Sequence, residues 1–315
     1  MKLDKLELIL ARTTKQRRAI QLLTADSVPK DPLKVGLIGC GRLGSHIVNS
    51  LLELNVINPE DLSISTRRPD SLGELVKQGV SVSYNNVGVA SSVHILFVCV
   101  LPSQLPGVVE EIHSALDKHT LTYCLVNHTT APKLKRTLKT DNIIIPSFVF
   151  DNAQANKWNS CMSVTQALED DDSLQKCCPL TNEGKASCVR LTDKWVELVI
   201  CAFINQCTDL DLTSQAALDL LHGICMVCAT RELCPFCSIC VRLTDKTITT
   251  DAIYSRKFPR FDLSKIHDND SHVVKKLRES DLLQRSFSKK FVSVFQEYRD
   301  ARRYDGEEGD ETGKS

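Results

Sequence analysis

Three glycines, Gly39, Gly41 and Gly44, constrain this chain more than any other feature of its sequence. They follow a short apolar run, Lys34 to Ile38, and precede an amphipathic stretch that predicts a helix from Ser45 to Leu54. A strand, a glycine triplet and a helix in this order are typical of the first βα turn of a dinucleotide-binding Rossmann domain. There the first glycine permits the tight turn, the second lets the main chain approach a pyrophosphate, and the third lets the helix pack on the strand. A glycine-rich turn that holds no ligand is the alternative.

The type of nucleotide is indicated by residues about 20 positions further on. An NAD-binding domain usually carries an acid at the end of its second strand, whereas this chain carries Ser65, Thr66, Arg67 and Arg68. A carboxylate would repel the 2′-phosphate of NADP, while hydroxyl and guanidinium groups form hydrogen bonds to it. The sequence therefore favours NADP(H), and a solvated arginine pair in a loop is the alternative.

From Lys34 onward, short β-branched runs alternate with longer amphipathic stretches, which predicts repeated βαβ units and a parallel sheet. The predicted strands are Lys34 to Ile38, Leu62 to Ser65, Val80 to Ser83, His94 to Val100, Leu121 to Val126 and Asn142 to Ile145. Beyond Phe150 the alternation fades, and helices are predicted at Asp193 to Gln206, Thr213 to Ala229, His272 to Arg278 and Gln284 to Arg303. We therefore predict an α/β fold, a doubly wound parallel sheet (Rossmann) with a second, mainly helical domain.

These patterns divide the chain into four parts. Residues 1–33 form an N-terminal helix and linker, 34–150 the NADP-binding Rossmann domain, 151–304 the mainly helical second domain, and 305–315 a disordered acidic tail. The segment Cys188 to Lys194 recurs identically as Cys240 to Lys246, a repeat for which we have no physical account.

Composition excludes several classes of partner. Lys plus Arg and Asp plus Glu each total 39, so no net charge attracts nucleic acid or an anionic membrane, and we expect neither partner. Residues 1–10 include Asp4 and Glu7 and have no small-residue cleavage site, unlike a secretory signal. The 14 cysteines then fit a reducing compartment, and we expect a cytoplasmic protein. The sequence is also compatible with a homo-oligomer.

Two cysteine pairs, Cys225 with Cys228 and Cys234 with Cys237, have the spacing of zinc ligands. Only five residues separate the pairs, which is short for a zinc knuckle. The helical pattern from Thr213 to Ala229 would also place the first pair on one helix face as small apolar residues. We favour that second interpretation and predict no metal site.

Three segments carry a family resemblance: Val35 to Leu54, Ile64 to Pro69 and Val93 to Gln104. They resemble the pyrroline-5-carboxylate reductase family and the related coenzyme-F420-dependent NADP oxidoreductase domain, over about residues 34 to 146. The resemblance implies NADP(H) binding in the first domain. It also implies that Asn86 contacts the cofactor and that Val100 to Pro102 lie beside the nicotinamide.

The chain departs from the reductases on the substrate side. Leu101 takes the place of a lysine in their Val-Lys-Pro segment. Their Pro-Asn-Thr-Pro segment is replaced here from its second residue, Ser147, onward. The second half has no segment like the Ser-Gly-Ser-Gly-Pro-Ala-Tyr helix through which the reductases contact substrate and pack as dimers. His128 could donate a proton, but it is equally consistent with a loop histidine, so the catalytic residues stay unknown.

We therefore expect an NADP(H)-dependent oxidoreductase that transfers hydride to or from a C=N or C=O bond of an unknown small molecule. The alternative is a catalytically degenerate NADP-binding sensor or interaction protein. The predicted cofactor-binding residues are Gly39, Cys40, Gly41, Arg42, Leu43, Gly44, Ser65, Thr66, Arg67, Arg68, Asn86, Val100, Leu101 and Pro102.

Overall fold

A computed structural model describes residues 32–126, 129–150, 164–180, 188–225 and 257–267, and between 278 and 299 it describes 278, 279, 281, 284–296 and 299. The predicted N-terminal helix, the acidic tail, the second copy of the repeated segment and most of the helix predicted at His272 to Arg278 lie outside these residues.

The first part of the chain is a sheet with helices on both faces. Its strands are β1 (Val35–Ile38), β2 (Leu62–Ser65), β3 (Ser81–Ser83), β4 (Ile95–Val98), β5 (Leu121–Cys124) and β6 (Ile143–Ile144). The helices between them are α1 (Arg42–Glu53), α2 (Gly73–Lys77), α3 (Asn86–Ser92), α4 (Leu105–Ile112) and α5 (Ala131–Leu138). The strands pair in parallel in the order β3-β2-β1-β4-β5-β6, which is the doubly wound order. The predicted fold class and the six predicted strands are confirmed.

The core forms on both faces of this sheet because alternate residues of each strand point to opposite sides. On one face Ile38, Val98 and Cys124 pack in a buried cluster with the apolar residues of α3, α4 and α5. On the other face Leu37 packs with Val48 of α1. All four residues of β1 are buried, as expected for a central parallel strand covered on both sides.

In the second part of the chain, the described residues are mainly helical, as predicted. Its helices are α6 (Val164–Glu169), α7 (Asp171–Cys177), α8 (Asp193–Asp209), α9 (Ser214–Cys225) and α10 (Leu263–Ile266), followed by helical residues 284–296. The sequence did not predict the antiparallel ribbon of β7 (Phe148–Phe150) and β8 (Val189–Leu191). Within the described residues no helix combines the length and the apolar character needed to cross a membrane.

Helix α8 packs directly on the sheet. Its Leu198 and Cys201 share a buried cluster with Ile144 of β6. The indole Nε1 of Trp195 donates a hydrogen bond to the hydroxyl of Tyr123 on β5, at 2.7 Å. Burial raises the pKa of that Tyr123 hydroxyl to about 12, although the bond from Trp195 lowers it, so Tyr123 stays neutral at physiological pH. The helical part therefore covers the β5–β6 side of the sheet.

Candidate functional site

The turn after β1 requires glycine at two of its three glycine positions. Gly39 has a φ of +95°, and a Cβ there would lie 2.8 Å from the carbonyl oxygen of Cys99. A Cβ on Gly44 would lie 2.4 Å from the carbonyl oxygen of Gly39. Such distances leave no room for a side chain, because Gly39 lies against the backbone that follows β4 and Gly44 of α1 lies against the turn itself. The expected tight turn and close helix packing are both present.

Gly41 differs from the other two glycines because no described atom requires it. A Cβ on Gly41 would meet nothing within 4 Å, and its φ of −88° is open to any residue. The absence of a side chain there leaves open space above the turn. A ligand that approaches the main chain closely would use that space.

Helix α1 directs its N-terminus at the same space. Gly41 is its N-cap, and the first helical hydrogen bond is from the N–H of Ser45 to the carbonyl of Gly41, at 2.8 Å. The helix therefore begins at Arg42, three residues before the predicted start. Its first-turn N–H groups have no intrahelical partners and, with the helix dipole, favour an anion.

The end of β2 lies beside this turn. The N–H of Gly39 donates to the carbonyl of Ser65 at 2.9 Å, and the N–H of Thr66 donates to the carbonyl of Ser83 at 3.0 Å. Arg67 and Arg68 follow at the surface, both exposed. Neither guanidinium forms an ion pair with any residue that the structure describes. Both are therefore available to a phosphate.

Asn86, at the start of α3, is held by two neighbours. The Ser65 hydroxyl donates to its Oδ1 at 2.7 Å, and its Nδ2 donates to Oε2 of Glu111 at 2.6 Å. Sequence reasoning missed Glu111, which lies on α4. No sequence signal marks it, because the pairing depends on how α3 and α4 pack together. The preceding residue, Asn85, caps α3 by accepting from the N–H of Gly88 at 2.8 Å.

Val100, Leu101 and Pro102 follow β4 at the same edge of the sheet. The Leu101 side chain is 60% exposed, although it is apolar. Its N–H donates to Oε1 of Gln104 at 3.2 Å, so the segment is held by the start of α4. The structure thus gathers the predicted residues at the carboxyl ends of β1, β2 and β4 and at the start of α3.

Two thiols near this edge, Cys99 and Cys124, are poor nucleophiles at neutral pH. Burial, together with the neighbouring Cys124 and Cys40, raises the pKa of Cys99 to about 12. Burial also raises the pKa of Cys124. Within the described part of the chain, no three His, Cys, Asp or Glu side chains are arranged to hold a metal ion. His128 and three of the four cysteines of the zinc-like pairs, Cys228, Cys234 and Cys237, lie outside the described residues.

Comparison with known proteins places this site in a family. Residues 34–126 match the family model described as NADP oxidoreductase, coenzyme F420-dependent. Over 272 residues the chain is 37% identical to NADP-dependent oxidoreductase domain-containing protein 1 of Mus musculus. The aligned region covers 84% of this chain and 72% of that protein. The chain belongs to the family of that protein. NADP is the cofactor of this oxidoreductase family, as the predicted resemblance implied.

Pyrroline-5-carboxylate reductases are more distant relatives. The Escherichia coli (strain K12) enzyme is 32% identical over 113 residues, which are 36% of this chain and 42% of that enzyme. Pyrroline-5-carboxylate reductase 3 of Xenopus laevis is 25% identical over 167 residues, 51% of this chain and 61% of that enzyme. The chain thus spans less than two thirds of these reductases. A solved Coxiella burnetii pyrroline-5-carboxylate reductase is 17% identical, with a TM-score of 0.35, over 86% of this chain and 98% of that one.

Proposed function

We propose that this chain binds NADP(H) at the turn after β1 and transfers hydride to or from a C=N or C=O bond of a small molecule. The observation that carries the proposal is the contrast among the three glycines. Gly39 and Gly44 are fixed by protein atoms at 2.8 and 2.4 Å, whereas Gly41 faces open space. Folding alone gives little reason for glycine at position 41, because serine, threonine, asparagine or aspartate would cap α1 at least as well. A pyrophosphate lying on the main chain gives a strong one.

Two further features support NADP(H) over NAD(H). The exposed Arg67 and Arg68 follow β2, and neither is neutralised by a described carboxylate. Guanidinium groups bind phosphate through paired, charge-assisted hydrogen bonds. Thr66 adds a hydroxyl group and brings no negative charge, whereas Ser65 is buried and donates its hydroxyl to Asn86. We propose that Arg67, Arg68 and Thr66 bind the 2′-phosphate and its ribose, with Ser65 acting through Asn86.

In the reaction, the protein would bind the cofactor and the substrate, orient them and exclude water. When bound, the reduced cofactor supplies the hydride. The first turn of α1 would hold the pyrophosphate, and Val100, Leu101 and Pro102 would lie against the nicotinamide half. Residues 151–304 would shape the substrate side, since α8 already covers β5 and β6.

A second candidate is an NADP-binding protein without turnover. Leu101 supports it, because an exposed apolar side chain stands where the reductases that the chain resembles carry a lysine. Such a protein would still bind the nucleotide through the turn after β1. Only a catalytic protein would consume it.

One experiment in two steps tests both candidates. NADPH is titrated into the full chain and followed by its fluorescence, and the complex is then screened for NADPH oxidation with cyclic imines and small carbonyl compounds. Binding with turnover supports the oxidoreductase, and binding without turnover across the screen favours the sensor. A chain that fails to bind NADPH would contradict both.

A further inference from the structure

The Asn86 amide is the polar group at this edge whose surroundings are most fully defined. Its Oδ1 accepts from the hydroxyl of Ser65 at 2.7 Å, and its Nδ2 donates to Glu111 at 2.6 Å. The carbonyl of the same Ser65 accepts from the N–H of Gly39 at 2.9 Å. Two residues therefore connect the glycine turn to a carboxylate on α4, in a different βα unit of the sheet.

Glu111 decides which way the Asn86 amide points. The Ser65 hydroxyl can donate or accept, so it would pair equally well with either end of the amide. An ionised carboxylate can only accept, so Glu111 requires the NH₂ group of Asn86 to face it. That choice leaves Oδ1 for Ser65. Among the described residues, it also leaves one amide N–H and one oxygen lone pair of Asn86 without a partner.

We infer that Glu111 is a cofactor-positioning residue, which acts through Asn86 and fixes the donor and acceptor that Asn86 offers to the adenosine half of NADP(H). The inference rests on the function proposed above. It extends it to a residue with no direct nucleotide contact. The adenosine half is indicated because Ser65 ends β2, where the ribose lies in this fold.

A purely electrostatic role and a positioning role for Glu111 predict opposite effects of its replacement on cofactor affinity. This difference makes the inference testable. A carboxylate near a cofactor with several phosphate charges disfavours binding by repulsion. If charge alone mattered, replacing Glu111 with any neutral residue would tighten binding. If positioning matters, E111A weakens binding because the amide of Asn86 loses its orienting partner, although the repulsion is also removed.

The experiment compares E111A, E111Q, N86A and the double variant N86A/E111A, with E110A as the matched control. Glu110 precedes Glu111 on α4, and its carboxylate takes no part in the Asn86 contacts. Dissociation constants are measured in the full chain for NADPH and for adenosine 2′,5′-bisphosphate, which represents the adenosine half alone. Thermal denaturation without ligand reports any loss of stability.

E111A should weaken both ligands by about threefold to tenfold, the range of one net hydrogen bond. E111Q keeps an acceptor at the same place and should bind within about twofold of the unchanged chain. E110A should show no loss. The double variant should bind no more weakly than N86A alone, because residues that act as one unit are not additive. Glu111 is exposed, so the denaturation midpoint should stay unchanged.

Three outcomes overturn the inference: E111A binding like the unchanged chain, E111A and E111Q shifting equally, or additive losses in the double variant. A lower denaturation midpoint in E111A with no rescue by E111Q would assign Glu111 a structural role and overturn it too. If the unchanged chain fails to bind NADPH, the proposed function itself is wrong. If the unchanged chain binds NADPH but one of these outcomes is observed, only the inference about Glu111 is wrong.

Discussion

Alanine substitutions at Gly39 and Gly41 should separate folding from nucleotide binding. The two glycines are two positions apart in one turn, and each substitution adds a single methyl group. At Gly39 that methyl would lie 2.8 Å from the carbonyl oxygen of Cys99, in a residue with φ of +95°. At Gly41 the methyl would meet no described atom within 4 Å, at φ of −88°.

The structure sets the size of each effect. Alanine at a positive φ costs about 1–2 kcal/mol, and overpacking against main chain costs about 1–3 kcal/mol more. G39A should therefore lower the free energy of unfolding by about 2–5 kcal/mol and the thermal midpoint by at least about 5 °C. In G41A the poorer N-cap costs about 0.5–1 kcal/mol, and the reduced freedom of the unfolded chain returns about 0.4–1 kcal/mol. Its midpoint should stay within about 2 °C of the unchanged chain.

G41A, the variant that should fold normally, should instead lose affinity for NADPH. G41A places a methyl where the pyrophosphate would approach, so NADPH affinity should fall by at least about tenfold, or about 1.4 kcal/mol. Thermal denaturation and NADPH fluorescence titration measure the two quantities on the same samples. Alanine at Gly107 on α4, whose Cβ would also meet nothing within 4 Å, is the control: NADPH affinity should stay unchanged, and the midpoint should not fall, because alanine is the better helix former. Unchanged affinity in G41A would refute the interpretation of the open space.

Three further results are expected. Replacing Arg67 and Arg68 with alanine should weaken NADPH far more than NADH, because only NADPH carries the 2′-phosphate; equal losses in titrations of both would contradict the predicted specificity. Burial would raise the pKa of Asp262, but hydrogen bonds from its neighbours, led by Lys135, lower it below 3.8. Asp262 therefore contributes stability above about pH 4 that is lost as the pH falls, and thermal scans of D262N should differ from the unchanged chain at pH 7 and converge with it in acid. Cys99, with its pKa near 12, should resist iodoacetamide at pH 8 until the chain unfolds, as peptide mass spectrometry would show.

The sequence predicted the first part of the fold well because its signals there are local. Each strand is a short apolar run between turn residues, and all six predicted strands are present, most of them shorter by one or two residues at an end. The positive φ of Gly39 and the contact of Gly44 with the Gly39 carbonyl are local, as the motif requires, whereas the contact of Gly39 with Cys99 joins distant residues. The start of α1 was predicted at Ser45, three residues late, because Gly41 caps the helix without any side chain.

Features that depend on contacts between distant segments could not be predicted. The ribbon of β7 and β8 joins residues about 40 positions apart, and neither strand alternates clearly enough to predict it. Glu111 reaches Asn86 across 25 positions, and its sequence surroundings resemble any exposed helix. The contact between Trp195 and Tyr123, which are 72 positions apart, could not be predicted for the same reason.

The two halves of the candidate site therefore depend on different parts of the chain. The side proposed to bind adenosine is built on β1, β2 and α3, and its contacts through Ser65, Asn86 and Glu111 all lie within the first part. The β5–β6 side is covered by α8, through Trp195 on Tyr123 and the cluster around Ile144. Under the proposed function, nucleotide affinity would depend on the sheet and its own helices, and substrate preference would depend on what the helical part places beside β4 and β5. This division explains how the cofactor motif can match distant reductases closely while the second half of the chain departs from them.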